Sequence, residues 1–437
     1  MPTSFRPCAP DQSLLFPPSP RDWLPEGHLA FFIADTVQAL DLRALYARYE
    51  GDGRRNAPFD PRMMVTVLLY AYATGTFSSR RMARKLEEDV AYRVLGAGNF
   101  PAHRTIAEFR LLHLEAFEDM FVQVVRIARE AGVGRLGKLA VDGTKIKANA
   151  SKHKAMSYAR MQAAEERLRG EIAALLRRAQ REDAEEDGRY GAGVRGDELP
   201  QELQRREQRL QKIAEAKARL EARQAAADRG QGRTPGDGRR SGGQRRFARE
   251  FGVPPDNTQE NFTDPDSRIM RSQGGFEQCY NAQAAVAEGS QLIVAQSLGN
   301  NASDQGQMVP LVEAAEQAGV AVREVLADAG YRAEASLSEL ERRRIRAYVA
   351  LGHEGRSLAT GAIAGPATRR LARRLRTRHG SARYRRRKAI VEPVFGWIKN
   401  VLGFRRFSLR GLRKVRSEWA MVCLAVNLKR LQRLQTA

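Results

Sequence analysis

The sequence predicts an α/β protein: a mixed sheet with flanking helices, interrupted by a helical hairpin and preceded by an all-α N-terminal region. Three observations carry this. Residues 24–131 place apolar side chains at three- and four-residue spacing with few β-branched runs, which is the helical period. Two short apolar runs, in GKLAVDGTKIK (137–147) and VREVLADAGY (322–331), each read as a buried strand that ends on an acid, Asp142 and Asp328. Between them, two long charged segments carry apolar residues along a single stripe.

At 437 residues the chain can form two or three modules with at least one sizeable core. Its 74 lysines and arginines outnumber 51 aspartates and glutamates, leaving a formal charge of +23. Such a charge concentrates polyanions, so nucleic acid is the expected partner; a solvated arginine-rich surface is the alternative that charge alone leaves open. Cysteines stand only at Cys8, Cys279 and Cys423, without CxxC spacing, which argues against structural zinc and a disulfide framework. None of the six histidines has metal-site spacing, and His353 and His379 lie in polar stretches suited to the surface. The first residues, MPTSFRPCAPDQSLLFPPSPRDW, lack the apolar centre of a secretory signal, and the longest apolar run, Met63 to Ala73, is too short to span a bilayer. A soluble cytoplasmic protein without membrane contact is expected.

Taken in order, Ser78 and Ser79 offer a cap before RRMARKLEEDVAYRVL (80–95), where Met82, Leu86 and Val90 share a face. A Gly-Ala-Gly-Asn turn follows. A second helix, opening near Thr105, carries Ile106, Phe109 and Leu112 inward and leaves Arg104 and Arg110 outward. This pair fits helix-turn-helix DNA binding and equally a packing or dimerisation role. GKLAVDGTKIK reads as a buried strand leading into a second strand or hairpin. Met161, Leu168, Ile172 and Leu175 then stripe one helix, and Leu203, Leu210, Ile213 and Leu220 the next. The polar segment 181–200 between them favours an antiparallel hairpin. Arg229 to Arg245 is dominated by Gly and Arg and reads as a flexible basic linker. Strand patterns resume at Gly275–Val286 and Leu292–Gln296, followed by a helix from about Asp304 to Ala318, and RAYVAL (346–351) supplies one more strand.

Transfer of a DNA phosphodiester needs charge stabilisation on both entering and leaving oxygens, which two divalent ions about 4 Å apart provide, and hard oxygen ligands suit magnesium. Carboxylates at the ends of neighbouring strands converge despite large sequence separation, as Asp142 and Asp328 are placed to do. Glu392 is the candidate third acid. It precedes Pro393, a residue tolerated in a first turn, and so is expected at the head of an amphipathic helix on which Glu392, Gly396 and Lys399 share a face. Upstream, 369–388 is densely basic, and Tyr384 and Arg387 stand just before the acid, suited to gripping a DNA backbone.

The strings VDGTKIKANAS, LADAGY and RRRKAIVEPVFGWIKNVLGFRRFSLRGLRKVRSEWAMVCLAVNLKRL resemble the three acidic motifs of bacterial insertion-sequence transposases of the DDE class. The region FDPRMMVTVLLYAYATG with SSRRMARKLEEDVAYRVL is similar to that group's amino-terminal domain. The resemblance implies an RNase H-like catalytic domain over 132–437, with a helical hairpin and basic linker inserted at 152–262 and a helical domain for end binding or assembly over 1–131. It implies that Asp142, Asp328 and Glu392 are the catalytic, metal-binding acids, holding Mg2+ with Mn2+ able to substitute. Tyr384, Arg387, Glu392 and Lys399 are similar to a Tyr-Arg-Glu-Lys signature, except that four residues rather than three separate Arg387 from Glu392 and Lys388 occupies the expected arginine position. Tyr384, Arg387, Lys388, Lys399, Arg405 and Arg406 would contact DNA, and Asn301 and Asp304 would support the acids. Trp397 is either a base-stacking ring or core. The implied reaction is metal-dependent cleavage at the ends of the element followed by strand transfer. The partners are double-stranded DNA, as terminal inverted repeats and target, and a second copy in a homodimeric synaptic complex at the nucleoid. A metal-dependent nuclease without strand transfer and a domesticated, non-catalytic DNA-binding protein are the rival readings.

Overall fold

The structure, a computed structural model, describes residues 19–49, 57–133, 136–190, 201–237, 249–272, 275–352 and 365–435. Cys8, His353, the 191–200 connection and residues 238–248 lie outside the described residues; the described start of the Gly/Arg-rich stretch is ordered rather than a flexible linker, since α9 runs to Gly230 and the buried Arg233 is paired with Asp228 and Asp237.

The N-terminal part is helical: α1 (Leu29–Ala39), α2 (Arg43–Tyr46), α3 (Pro61–Ala73), α4 (Ser79–Glu88), α5 (Val90–Gly96), α6 (His103–Leu112) and α7 (Leu114–Glu130). Asp60 caps α3 by accepting from Arg62 N, with Pro61 in the first turn. Apart from Arg62 and Met63 the helix is buried all round, as its uninterrupted apolar sequence demands. Two expectations change here. RRMARKLEEDVAYRVL is two helices, because the Asp89 carboxylate turns back to accept from Ala91 N and Tyr92 N, ending α4 and capping α5; Val90 is therefore exposed. Arg110 points inward, 6% exposed, with Nη1 donating to Tyr72 Oη and Phe77 O.

The remaining elements are β1 (Lys138–Lys147), β2 (Ala155–Ser157), α8 (Tyr158–Tyr190), α9 (Gln201–Gly230), β3 (Gln259–Asn261), β4 (Arg268–Ser272), β5 (Gly275–Ala287), β6 (Ile293–Gly299), α10 (Met308–Gln317), β7 (Glu324–Ala327), α11 (Glu334–Arg342), β8 (Arg346–Val349), α12 (Pro366–Arg376), α13 (Arg378–Gly396) and α14 (Leu412–Gln435). The sheet is mixed. Its order is β4-β5-β1-β7-β8, with β6 also pairing β5; β1 and β5 are antiparallel, whereas β1, β7 and β8 are parallel. GKLAVDGTKIK is one long strand rather than two, because β5 pairs with it from Leu139 to Lys147, so Asp142 sits mid-strand instead of at its end. The helix expected from Asp304 begins at Met308, since the Asp304 carbonyl closes a turn by accepting from Gln307 N.

Helices α8 and α9 pack on each other through Tyr158, Met161 and Leu168 against Ile213, Ala216 and Leu220, a small core separate from the main one. Ile172 is half-buried. At their base, Arg219 and Arg223 clasp the fully buried Glu260 of β3 at 2.8 and 2.5 Å. The main core is continuous from the N-terminal helices to the sheet, and α14 runs through it, packed on α3, α7 and β6.

One polar network ties these layers together. The Glu418 carboxylate on α14, with no exposed surface, accepts from Ser408 N and Leu409 N and from Tyr72 Oη at 3.3 Å, while Tyr72 Oη accepts from Arg110 at 3.0 Å. Charge-assisted bonds of this kind are worth about 1.5–3 kcal/mol each, and an amide at 418 would turn a donor toward two backbone N–H groups. Glu418→Gln is therefore expected to destabilise the fold by about 3 kcal/mol in urea unfolding. An unchanged midpoint would show that the network is dispensable.

Candidate active site

Ala140 on β1 is level with Leu326 on the parallel strand β7, so Asp142 and Asp328 each stand two residues further on, side by side. Both are half-buried. Asp142 Oδ1 accepts from Gly143 N at 2.8 Å; Asp328 caps the turn after β7, its Oδ1 accepting from Gly330 N at 2.9 Å. Their carboxylates repel, and burial together with the Asp328 charge pushes the Asp142 pKa above the usual carboxylate value.

Arg387 opposes that shift. Its Nη1 lies 2.9 Å from Asp142 Oδ2, with its side chain only 8% exposed. Burial would lower the guanidinium's pKa, yet the charges of Asp142, Tyr384 and Asp328 outweigh burial and raise it. Nε of Arg387 is buried without a hydrogen-bond partner. The residue expected to grip DNA instead turns its charge toward an acid.

A third carboxylate converges on this edge, and it is Asp304. A side chain on Gly330 would meet Asp328 Oδ1 at 3.1 Å and Asp304 Oδ2 at 3.4 Å; one on Gly143 would meet Asp304 Oδ1 at 2.9 Å. Glycine at both positions is what lets the carboxylates approach. Beneath them the fully buried Tyr331 phenol donates to Gln283 Oε1, and burial plus the charges of Asp304, Asp142 and Asp328 raise its pKa far above the usual phenol value. The resemblance names Asp304 only as a support for the acids; its approach past Gly143 and Gly330 is what the structure adds.

Glu392 stands apart from these contacts. It lies on α13 five residues beyond Arg387, about 7.5 Å along the axis, exposed and without a hydrogen bond or ion pair among the described residues. It does not head a helix: α13 starts at Arg378 and Pro393 lies inside it. The ring removes the N–H that Ala389 O would accept, and shortly after it the helix widens into a π turn, Trp397–Val401, with Leu402 N donating to Trp397 O. Among the described residues, no three His, Cys, Asp or Glu side chains form a ready-made metal cage.

The basic residues divide by face. Lys388 is exposed and Tyr384 half-buried on α13. Lys399 is part-buried, its Nζ 3.5 Å from Lys145 O, and burial lowers its pKa. Arg405 and Arg406 are exposed, bonded to Asn400 and Asn149 respectively. Arg383, from the same basic run, is committed to Glu288 and Glu324. Trp397 is half-buried beneath Lys429, whose Nζ lies 5.1 Å from the ring centroid.

Breaking a buried pair from one side leaves an uncompensated charge, at a cost of about 3 kcal/mol. Arg387→Met is expected to destabilise by that amount, and Asp142→Asn with Arg387→Met together by much less than the two single costs combined. Additive costs in a double-mutant cycle would show that the pair is not coupled.

Residues 253–428, which include Asp304, Asp328 and Glu392 but not Asp142, match the family described as Transposase DDE domain. Residues 18–111 match the Transposase domain (DUF772). No curated protein and no solved structure matches the chain. Two transposase domains are thus matched on one polypeptide, together spanning more than half the sequence, and the chain belongs to the insertion-sequence transposases of the DDE class.

Proposed function

We propose that this transposase cuts DNA at the ends of its insertion sequence and joins the freed ends to target DNA, with Asp142, Asp328 and Glu392 as its catalytic acids. The observation that carries the reading is the register of parallel β1 and β7, which pairs Ala140 with Leu326 and so sets Asp142 on β1 level with Asp328, the first residue past β7. The donor set fits a hard divalent cation. Among the described residues, Asp328 Oδ1 and Asp304 Oδ1 are bonded within the protein while the second oxygen of each has no bonded partner, and a Cβ at Gly330 would fill the space between Asp328 Oδ1 and Asp304 Oδ2. Mg2+, or Mn2+ in its place, supplies charge neutralisation at the entering and leaving oxygens when bound.

The chain's own residues do the rest. Asp142 and Asp328 present oxygens from a rigid strand edge, and Arg387 holds the Asp142 carboxylate in one orientation until a cation competes for it. Glu392 brings an uncommitted carboxylate from α13, on the flank it shares with Lys388 and Lys399. Lys388, Lys399, Tyr384, Arg405 and Arg406 bind backbone phosphates and orient the scissile bond.

The strand order supports an RNase H-like catalytic domain over 132–437, with β1 between antiparallel β5 and parallel β7. The separate core of α8 and α9 supports their reading as a hairpin inserted within 152–262. Residues 1–131 serve end binding or assembly, and joining two ends calls for a homodimer on double-stranded DNA. No helix among the described residues is long and apolar enough to cross a membrane, and work on DNA fits a cytoplasmic, nucleoid-associated place.

Asp142→Asn, Asp328→Asn and Glu392→Gln are each expected to abolish Mg2+-dependent cleavage of end-bearing DNA, at least a thousandfold by order of magnitude, while retaining DNA binding. Supplied with pre-cleaved ends carrying 3′ hydroxyls, the wild-type chain should join them to a plasmid. Cleavage without joining would assign a nuclease instead, and full activity in Glu392→Gln would remove that residue from the set.

A further inference from the structure

We infer that Asp304 is a further cation ligand of this acidic site, reaching the Asp142–Asp328 edge through the gap left by two glycines. The inference rests on the metal-dependent reading above and extends it to a residue outside the three acids.

The argument begins with how Asp304 is held. It sits in the turn before α10, pinned to β5: Asn281 Nδ2 donates to Asn301 O at 3.1 Å and to Asp304 Oδ1 at 2.7 Å. Gln283 Nε2 donates to the same oxygen at 2.7 Å, and Lys145 Nζ lies 3.1 Å from it. Tyr331 fixes which way the Gln283 amide faces, because its hydroxyl donates to Oε1 and leaves Nε2 for Asp304. One carboxylate oxygen thus takes three donors while the other takes none, although a carboxylate has about four lone-pair positions to fill.

The oxygen left over is aimed. Oδ2 is the Asp304 oxygen that a Cβ at Gly330 would meet, at 3.4 Å, with Asp328 Oδ1 at 3.1 Å from the same point. The side chain keeps 19% of its surface exposed, so the spare oxygen is within reach of an ion from solvent. Holding this carboxylate near two other aspartates is unfavourable without a counter-charge; Lys145 supplies one on the Oδ1 side and a divalent cation would supply one on the other. A purely structural aspartate would have no need of the open glycine cradle in front of it.

The test is Mn2+ binding to the full chain without DNA, followed by the loss of the free-ion paramagnetic resonance signal. Asp304→Asn keeps an acceptor for Lys145, Asn281 and Gln283 but removes the charge, and is expected to weaken Mn2+ affinity at least tenfold. Lys145→Met removes the competing cation and is expected to strengthen it severalfold. A structural role predicts no such opposition of sign. If Asp142→Asn loses Mn2+ while Asp304→Asn stays within twofold of wild type, the assignment of Asp304 is overturned and the two-aspartate site survives. If Asp142→Asn, Asp328→Asn and Asp304→Asn all bind as wild type, the metal reading itself falls. Should Asp304→Asn fail to fold, unchanged affinity in Lys145→Met overturns the proposal on its own.

Discussion

Asp142 is caught between burial, which disfavours its charge, and the neighbouring charge of Asp328, which disfavours it further. The Arg387 guanidinium offsets both by standing 2.9 Å away in a place that solvent scarcely reaches. Much of the site's architecture serves that arrangement. A guanidinium cannot shed its proton to escape burial, so it must keep an anion beside it. The acid and the base therefore hold each other in position without a ligand.

That orientation depends on the sheet. Parallel pairing of β1 with β7 brings two acids from distant parts of the sequence level with one another, and antiparallel β5 supplies the amides that set Asp304. Arg383 fastens the start of the same region, binding Glu324 at the head of β7 and Glu288 just past β5. Helix α13 is thus clamped to the sheet at two points a turn apart, Arg383 and Arg387. The Glu418 network does the same for α14, fixing the 404–411 loop to the N-terminal helices through Tyr72 and Arg110.

What could be read from the sequence follows which physical signals are local. Apolar runs closing on Asp142 and Asp328 announced buried strands, and the stripe of Met161, Leu168, Ile213 and Leu220 announced two helices in contact. The run in 137–147 looked divided because Gly143 and Thr144 interrupt it, yet β5 pairs straight across them. Asp89 and Pro393 misled in opposite directions: the aspartate ended a helix by capping the next one, while the proline, expected at a helix start, is carried inside a helix packed on the sheet. Asp304 is singled out in the sequence only through the resemblance, as a support for the acids; its place beside Gly143 and Gly330 and under the amides of β5 is fixed only when the sheet closes.

The charge of the chain gains meaning from the same helix. Within RYRRRK, Arg383 and Arg387 are four apart and face the sheet, each bound to acids, whereas Arg385, Arg386 and Lys388 lie on the exposed side. Exposed Arg369, Arg373, Arg376 and Arg378 on α12 and the start of α13 extend that basic surface. Helical periodicity thus sorts one basic run into two populations, a buried pair that organises carboxylates and an exposed set that raises the positive potential of the outer face, with Arg386 also reaching Glu288 at 3.1 Å. The helix whose inner face fixes Asp142 therefore carries its solvated charge on the opposite face.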